Sequence, residues 1–313
     1  MKIVFFGLGS IGERHARLLK EHFKHDLLAF RSGKSTNKNK LGIKEVYTLK
    51  EVVAWKPDLA FVTNPTSEHM RYLIFCAKNG IDLFIEKPIS HTTKGLAELV
   101  KYVKKNKIKT YVAYCLRFHP GIIWLKDYLS KNKPIHTNVY ASSYMPNWRQ
   151  NVKNHLNHYS AKKSMGGGAI LELSHELDYL YYLFGLFKEL KVNSRKISNV
   201  TLDSEDFIDA LIKFDDKLFG NLHINFYSAF ARREIVVDFE DHSVVVDMVA
   251  NESRIIKTGK KDKVKKFKLE RDDIYIDQLK YFFSNLGKGR MMNDLEDSLE
   301  VFKYIMKAKE GVK

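Results

Sequence analysis

Cysteine is almost absent: the 313-residue chain holds two, Cys76 and Cys115, in no CxxC or Cys/His spacing. That excludes a disulfide scaffold and a thiolate metal centre, and it fits a reducing compartment, so a cytoplasmic location is expected. No run approaches the ~20 apolar residues that a membrane-spanning helix needs. The first residues enter a strand-like run without a signal-peptide layout. Internal repeats and low-complexity linkers are also lacking. Acidic residues are outnumbered, 37 against 53 Lys and Arg, leaving a formal charge of +16. Such a surplus favours phosphate-bearing ligands or nucleic acid. The lysines, however, are scattered over helices and turns (Lys101, Lys104, Lys105, Lys107; Lys260, Lys261, Lys263) without interleaved aromatics, so nucleic-acid binding is not expected.

What is present begins at once. The apolar run Lys2 to Phe6 ends in the GLGSIG turn, Gly7, Gly9, Ser10, Ile11 and Gly12, and opens onto a helical stretch. Such a turn holds a pyrophosphate: the first glycine permits the tight turn, the second lets backbone approach the phosphates, and the third lets helix pack on strand. A second strand, Leu27 to Phe30, ends where an acidic residue would receive the ribose hydroxyls of NAD. Arg31, Ser32 and Lys34 stand there instead. Guanidinium and ammonium suit the extra phosphate of NADP, which is therefore expected over NAD.

Strands and amphipathic helices alternate to about residue 114, the pattern of a doubly wound parallel sheet in an α/β protein. Thr48 is placed to cap a helix over Leu49 to Trp55. The strand Leu59 to Thr63 leads into Asn64, Pro65, Thr66 and Ser67, and the strand Asp82 to Ile85 delivers Glu86, Lys87 and Pro88. Ligands of open parallel sheets bind outside such strand ends, so the three turns are expected to open on one crevice with Lys87 as an acid/base group.

The texture changes near His119 and Pro120. Alternating strands follow at Asn138 to Ser142, Phe207 to Phe214, Gly220 to Tyr227, Glu234 to Phe239 and Ser243 to Met248, implying an open, mostly antiparallel sheet in an α+β domain. The expected division is 1–118 for the nucleotide and 119–313 for substrate and oligomerisation, with a homodimer or homotetramer formed through the second sheet. Three glycines, Gly166 to Gly168, precede one expected helix in which Glu172, His175 and Asp178 share roughly a face. His175 is a candidate proton carrier, since a histidine of near-neutral pKa can take a hydroxyl proton, though a structural histidine is the commoner outcome for a lone one. The segment 145–164 offers Trp148, Arg149 and Tyr159 to a sugar, or to one carrying a phosphate or nucleotide.

Taken together, GLGSIG, NPTSEH, EKP, AYCLRFHP and GGG before the His175 helix resemble the Gfo/Idh/MocA oxidoreductases over essentially the whole chain. The resemblance implies NAD(P)-dependent oxidation or reduction at a sugar or nucleotide-sugar carbon. It implies Lys87 as the catalytic lysine, a cis bond before Pro88, cofactor contacts at Asn64, Pro65, His69 and Glu86, and Arg117 near nicotinamide and substrate. One departure is that Glu172 stands three residues before His175, where many members carry an aspartate four before. Left open are a glycosidase of the same architecture that oxidises and re-reduces its substrate, and a non-catalytic nucleotide-binding scaffold.

Overall fold

The computed structural model describes residues 1–31, 33, 39–148 and 159–310, with the side chain of Tyr159 excepted. The chain forms two compact units, Met1–Tyr114 with Gln278–Ser298, and Cys115–Asp277 with the chain from Leu299. Residues 278–298 therefore return to the first unit, whereas the sequence places all of 119–313 in the second. Aromatic burial accounts for this: Phe282 packs on Phe84 and Tyr111 with ring centroids 5.2 and 5.5 Å apart, and Phe283 on Phe23 at 5.0 Å.

The first unit runs β1 (Lys2–Phe6), α1 (Ser10–His22), β2 (Asp26–Phe30), β3 (Lys44–Val46), α2 (Leu49–Trp55), β4 (Leu59–Val62), α3 (Thr66–Lys78), β5 (Asp82–Ile85), α4 (Leu96–Lys105) and β6 (Thr110–Val112). All strand pairs are parallel, in the order β3-β2-β1-β4-β5-β6. Strands β1, β4 and β5 are continuous apolar runs because helices cover both faces of the sheet. A file of rings fixes its middle, Phe5 on Phe61 at 5.0 Å, Phe61 on Phe84 at 4.2 Å and Phe84 on Tyr111 at 5.3 Å. Helix α2 starts where predicted: Thr48 and Glu51 form a reciprocal capping box.

Register decides what stands at the sheet's carboxyl edge. Phe6 is level with Phe30 and Val62, Val62 with Ile85, and Ile85 with Val112. The residues that follow, in spatial order Arg31, Gly7, Thr63, Glu86 and Ala113, consequently form one row. Adjacent members are one strand spacing apart, roughly 4.8 Å. The chain order reverses between β1 and β4, the switch point at which open α/β sheets bind ligands.

The second unit contributes α5 (Pro120–Leu129), β7 (His136–Ser142), α6 (Ala169–Glu172), α7 (His175–Phe184), β8 (Glu189–Arg195), β9 (Phe207–Lys213), β10 (Phe219–Asn225), β11 (Arg232–Asp238), β12 (Ser243–Asp247), β13 (Glu252–Ile256) and β14 (Lys263–Lys266). Helices α8 (Asp273–Asn285) and α9 (Leu295–Glu310) follow. The eight strands are ordered β14-β13-β12-β11-β7-β10-β9-β8, antiparallel except for the pair β7 and β10. The sequence anticipates five of them. Strand β14 escapes notice because all four of its residues are exposed, and a strand with no apolar face carries no period-two signal.

Candidate functional site

Steric room explains the glycines of the first turn. Gly7 adopts φ +105°, and a Cβ on it would lie 2.8 Å from the Asn64 backbone nitrogen. A Cβ on Gly12 would lie 2.3 Å from the Gly7 carbonyl oxygen and 2.8 Å from Thr63 Oγ1, which donates to that same carbonyl at 2.7 Å. At Gly9 nothing comes within 4 Å, so the middle glycine leaves its approach open. Gly9 caps α1 without a side-chain hydrogen bond, leaving the first-turn N–H groups of Ser10, Ile11 and Gly12 as anion donors. Beside this cradle both amide atoms of Asn64 are buried without a hydrogen-bond partner among the described residues. An open glycine turn flanked by an unsatisfied carboxamide fits a dinucleotide whose pyrophosphate meets the helix and whose polar groups satisfy Asn64. Pro65 caps α3 at the same edge.

One strand from Gly7, Arg31 is buried rather than splayed into solvent. Its Nη1 donates to Glu45 Oε1 at 3.0 Å, the two side chains being 9% and 23% exposed. The Tyr47 hydroxyl donates to the other carboxylate oxygen at 2.7 Å, a bond that raises the tyrosine pKa above its ordinary value. Glu45 is absent from the sequence prediction because β3 spans only Lys44–Val46, too short for its pattern to register. Ser32 and Lys34 lie outside the described residues.

Two buried histidines hold the EKP turn. His15, on the inner face of α1, places Nε2 2.7 Å from Glu86 Oε1, and Glu86 Oε2 accepts the Lys87 backbone N–H at 3.2 Å. His69, expected at the cofactor, places Nδ1 3.0 Å from the Pro88 carbonyl and Nε2 2.8 Å from the Asn64 carbonyl. With both ring nitrogens directed at backbone, it is a strut between the two turns. Burial holds its pKa below the ordinary histidine value, and a neutral imidazole donates to one of these carbonyls at a time. The Lys87–Pro88 bond is cis.

In the second unit, Gly168 at φ +118° leads into α6, and a Cβ there would fall 2.4 Å from Glu205 Oε1. That oxygen accepts the Ile170 N–H at 3.2 Å, and the Glu205 carbonyl accepts the Ala169 N–H at 3.1 Å. Burial raises the Glu205 pKa. The single helix expected from Ala169 onward is instead two. Helix α6 stops at Glu172, and the next turn closes by an i to i+3 bond from Glu176 N–H to the Leu173 carbonyl before α7 continues from His175. Glu172 and His175 are half-buried on either side of this break, while Asp178 is fully buried.

Asp178 is the partner of Arg117, the residue expected near nicotinamide and substrate: Arg117 Nε and Nη2 donate to the two Asp178 oxygens at 3.0 and 2.7 Å, with the side chains 2% and 0% exposed. The Tyr182 ring lies 4.8 Å from the guanidinium carbon. This buried two-pronged pair ties Arg117 to α7. Glu176, two residues earlier, accepts from Arg233 Nε at 2.8 Å. Half-exposed Trp148 donates its indole N–H to Ser143 Oγ at 2.8 Å and packs edge-on against Phe226. Arg149 and the Tyr159 side chain lie outside the described residues. Among the described residues no group of three or more His, Cys, Asp or Glu is placed to hold a metal ion, and no helix is long and apolar enough to cross a membrane.

A parallel sheet in the order 3-2-1-4-5-6 with a glycine cradle at its switch point defines a Rossmann dinucleotide-binding unit, and comparison with known proteins places it among oxidoreductases. Residues 1–114 match the oxidoreductase family with an NAD-binding Rossmann fold, and residues 134–245 match the GFO/IDH/MocA C-terminal domain. The chain belongs to the GFO/IDH/MocA family. A Thermotoga maritima myo-inositol 2-dehydrogenase is 21% identical over 92% of this chain and 89% of its own length. An uncharacterized oxidoreductase of Streptococcus pneumoniae is 26% identical over 59% of this chain and 48% of its own, so the match spans about half of that relative. In fold, the chain resembles the UDP-N-acetylglucosamine 3-dehydrogenase of Acidithiobacillus ferrooxidans, with TM-score 0.82, 17% identity and coverage of 100% and 97% of the two chains.

Proposed function

We propose that the chain transfers a hydride between a nicotinamide dinucleotide, NADP in preference to NAD, and a ring or side-chain hydroxyl or carbonyl carbon of a sugar or nucleotide-sugar. One observation carries this: the level row of strand ends sets Arg31, the Gly7 cradle and the Glu86–Lys87 turn along a single edge, with Arg31 and Glu86 three strand spacings, roughly 14 Å, apart. When bound, the dinucleotide supplies the hydride or accepts it. The chain's own residues do the rest. Backbone N–H groups of Gly9 to Gly12 bind the pyrophosphate, Asn64 satisfies its carboxamide on the ligand, and the His15–Glu86 and His69 contacts hold Lys87 in place. The Lys87 ammonium steadies the oxygen of the reacting carbon, and His175, with Glu172 as partner, takes or returns its proton.

The substrate class is supported by what the relatives' names state, an inositol in one and a UDP-sugar in another, and by Trp148, Arg149 and Tyr159, which suit a sugar carrying an anionic group. A homodimer or homotetramer is proposed through the second unit's sheet. Its outward face holds Tyr140, Asp209, His223 and Arg232 around a cavity of about 670 Å³. A cytoplasmic setting accords with two buried cysteines, neither of them in a disulfide.

Titration with NADPH and NADH, followed by tryptophan quenching, and then turnover on polyols and UDP-sugars would test the proposal. Lys87→Ala should retain dinucleotide binding while losing turnover by about 10² to 10⁴. Binding of neither dinucleotide would sink the dehydrogenase reading. Tight binding with no net change in nicotinamide absorbance during turnover would move it to the internally oxidising glycosidase.

A further inference from the structure

We infer that Glu45 sets the balance between NADP and NAD by competing for Arg31. The inference rests on the dinucleotide-binding reading above and deepens it. Arg31 is the residue directly after the in-register end of β2, one strand from the Gly7 cradle, which is where the adenosine ribose of a Rossmann ligand lies. Its guanidinium is already engaged 3.0 Å from Glu45 Oε1. The carboxylate is fixed from two sides: its backbone pairs in register with Ala29 through β3, and its second oxygen is held by the Tyr47 hydroxyl at 2.7 Å.

The two cofactors meet this arrangement differently. A 2′-phosphate brings a charge of about −1.5 to −2 and needs the two-pronged face of a guanidinium. To obtain it, the phosphate must share Arg31 with a carboxylate of the same sign. A 2′-hydroxyl is neutral and donates, and an acidic acceptor at this place is the group that recognises NAD. Strand β2 does not end in an acid, so β3 supplies one from the side. Any preference for NADP conferred by Arg31, Ser32 and Lys34 is what remains after Glu45 opposes it. Glu45 is thus a specificity-determining residue that a scan of the residues following β2 overlooks.

The test is equilibrium titration of the purified full chain with NADPH and with NADH, read by tryptophan quenching, for the wild type, Glu45→Gln, Glu45→Asp and Glu45→Gln with Arg31→Ala. Glu45→Gln keeps the shape and removes the charge, and should tighten NADPH relative to NADH by roughly ten- to a hundredfold, the worth of one charge-assisted bond. Glu45→Asp keeps the charge and should stay within about threefold of wild type, well short of such a bond. Adding Arg31→Ala should erase the gain. An unchanged NADPH to NADH ratio in Glu45→Gln, with both dinucleotides still bound, overturns the role of Glu45 alone. Binding of neither by the wild type overturns this inference together with the reading beneath it.

Discussion

Arg31 and Arg117 carry the same charge and each pairs with a carboxylate, yet their surroundings differ in kind. Arg31 stands at a strand end, against a partner that is 23% exposed. Arg117 is sealed, with Asp178 at 0% exposure taking both of its forked donors. The first pair lies at the carboxyl edge of the sheet, where a bound ligand would compete for it. The second is enclosed together with its carboxylate and ties Arg117 to α7. A cation in a sequence announces an anion, but only its position relative to the sheet edge says whether that anion is a ligand or a neighbouring side chain.

Removing one partner from each pair is the strongest way to break this comparison. Asp178→Ala strands a guanidinium in a dry interior and should cost about 3–5 kcal/mol in denaturant unfolding. Glu45→Ala should cost less in the same measurement, because Glu45 is 23% exposed where Asp178 is wholly enclosed. Equal losses would erase the distinction. Replacing both sealed partners, Arg117→Met with Asp178→Leu, should recover most of the Asp178→Ala loss, since an apolar pair of similar volume avoids the cost of burying charge.

A pH series sharpens the contrast within the first unit. Burial depresses the His69 pKa, so the native ring resists a proton that the unfolded chain accepts near ~6.5. The unfolded state then binds more protons below that value. The stabilisation is complete above ~6.5 and is lost as pH falls, by up to about 1.4 kcal/mol per pH unit. His119, also depressed by burial, contributes in the same direction. His69→Gln should flatten part of the slope between neutral and mildly acidic pH in thermal melts, and an unaltered slope would remove His69 from the account. Thr48→Ala should cost about 1 kcal/mol in the same melts, the worth of the lost cap of α2.

Local features were legible in the sequence. The glycine turn, the start of α1, the Thr48 cap and the placement of Lys87 after β5 all follow from neighbours within a few positions, where periodicity and capping operate. The contacts that fix side chains came only from the fold. His15 meets Glu86 across 71 positions and Arg117 meets Asp178 across 61. Glu45 reaches Arg31 from a three-residue strand. Each pairing depends on which strands and helices become neighbours, information that spacing along the chain does not hold. The break between α6 and α7 was hidden for another reason: Leu173 and Ser174 continue a helical pattern, while Glu205, which holds the start of α6 from more than thirty positions away, fixes where that short helix begins.

The level strand ends have a consequence for how such a chain tolerates insertion and deletion. The edge is a ruler graduated in strand widths, about 4.8 Å each, and its marks are set by backbone pairing alone. Residues gained or lost in a connecting loop leave every mark where it was. A single residue added within β1 would advance its mark by one, putting Phe6 where Gly7 now stands and turning every later side chain to the opposite face. Length variation is therefore expected to collect in the loops, with the five strands that form the edge held to constant count.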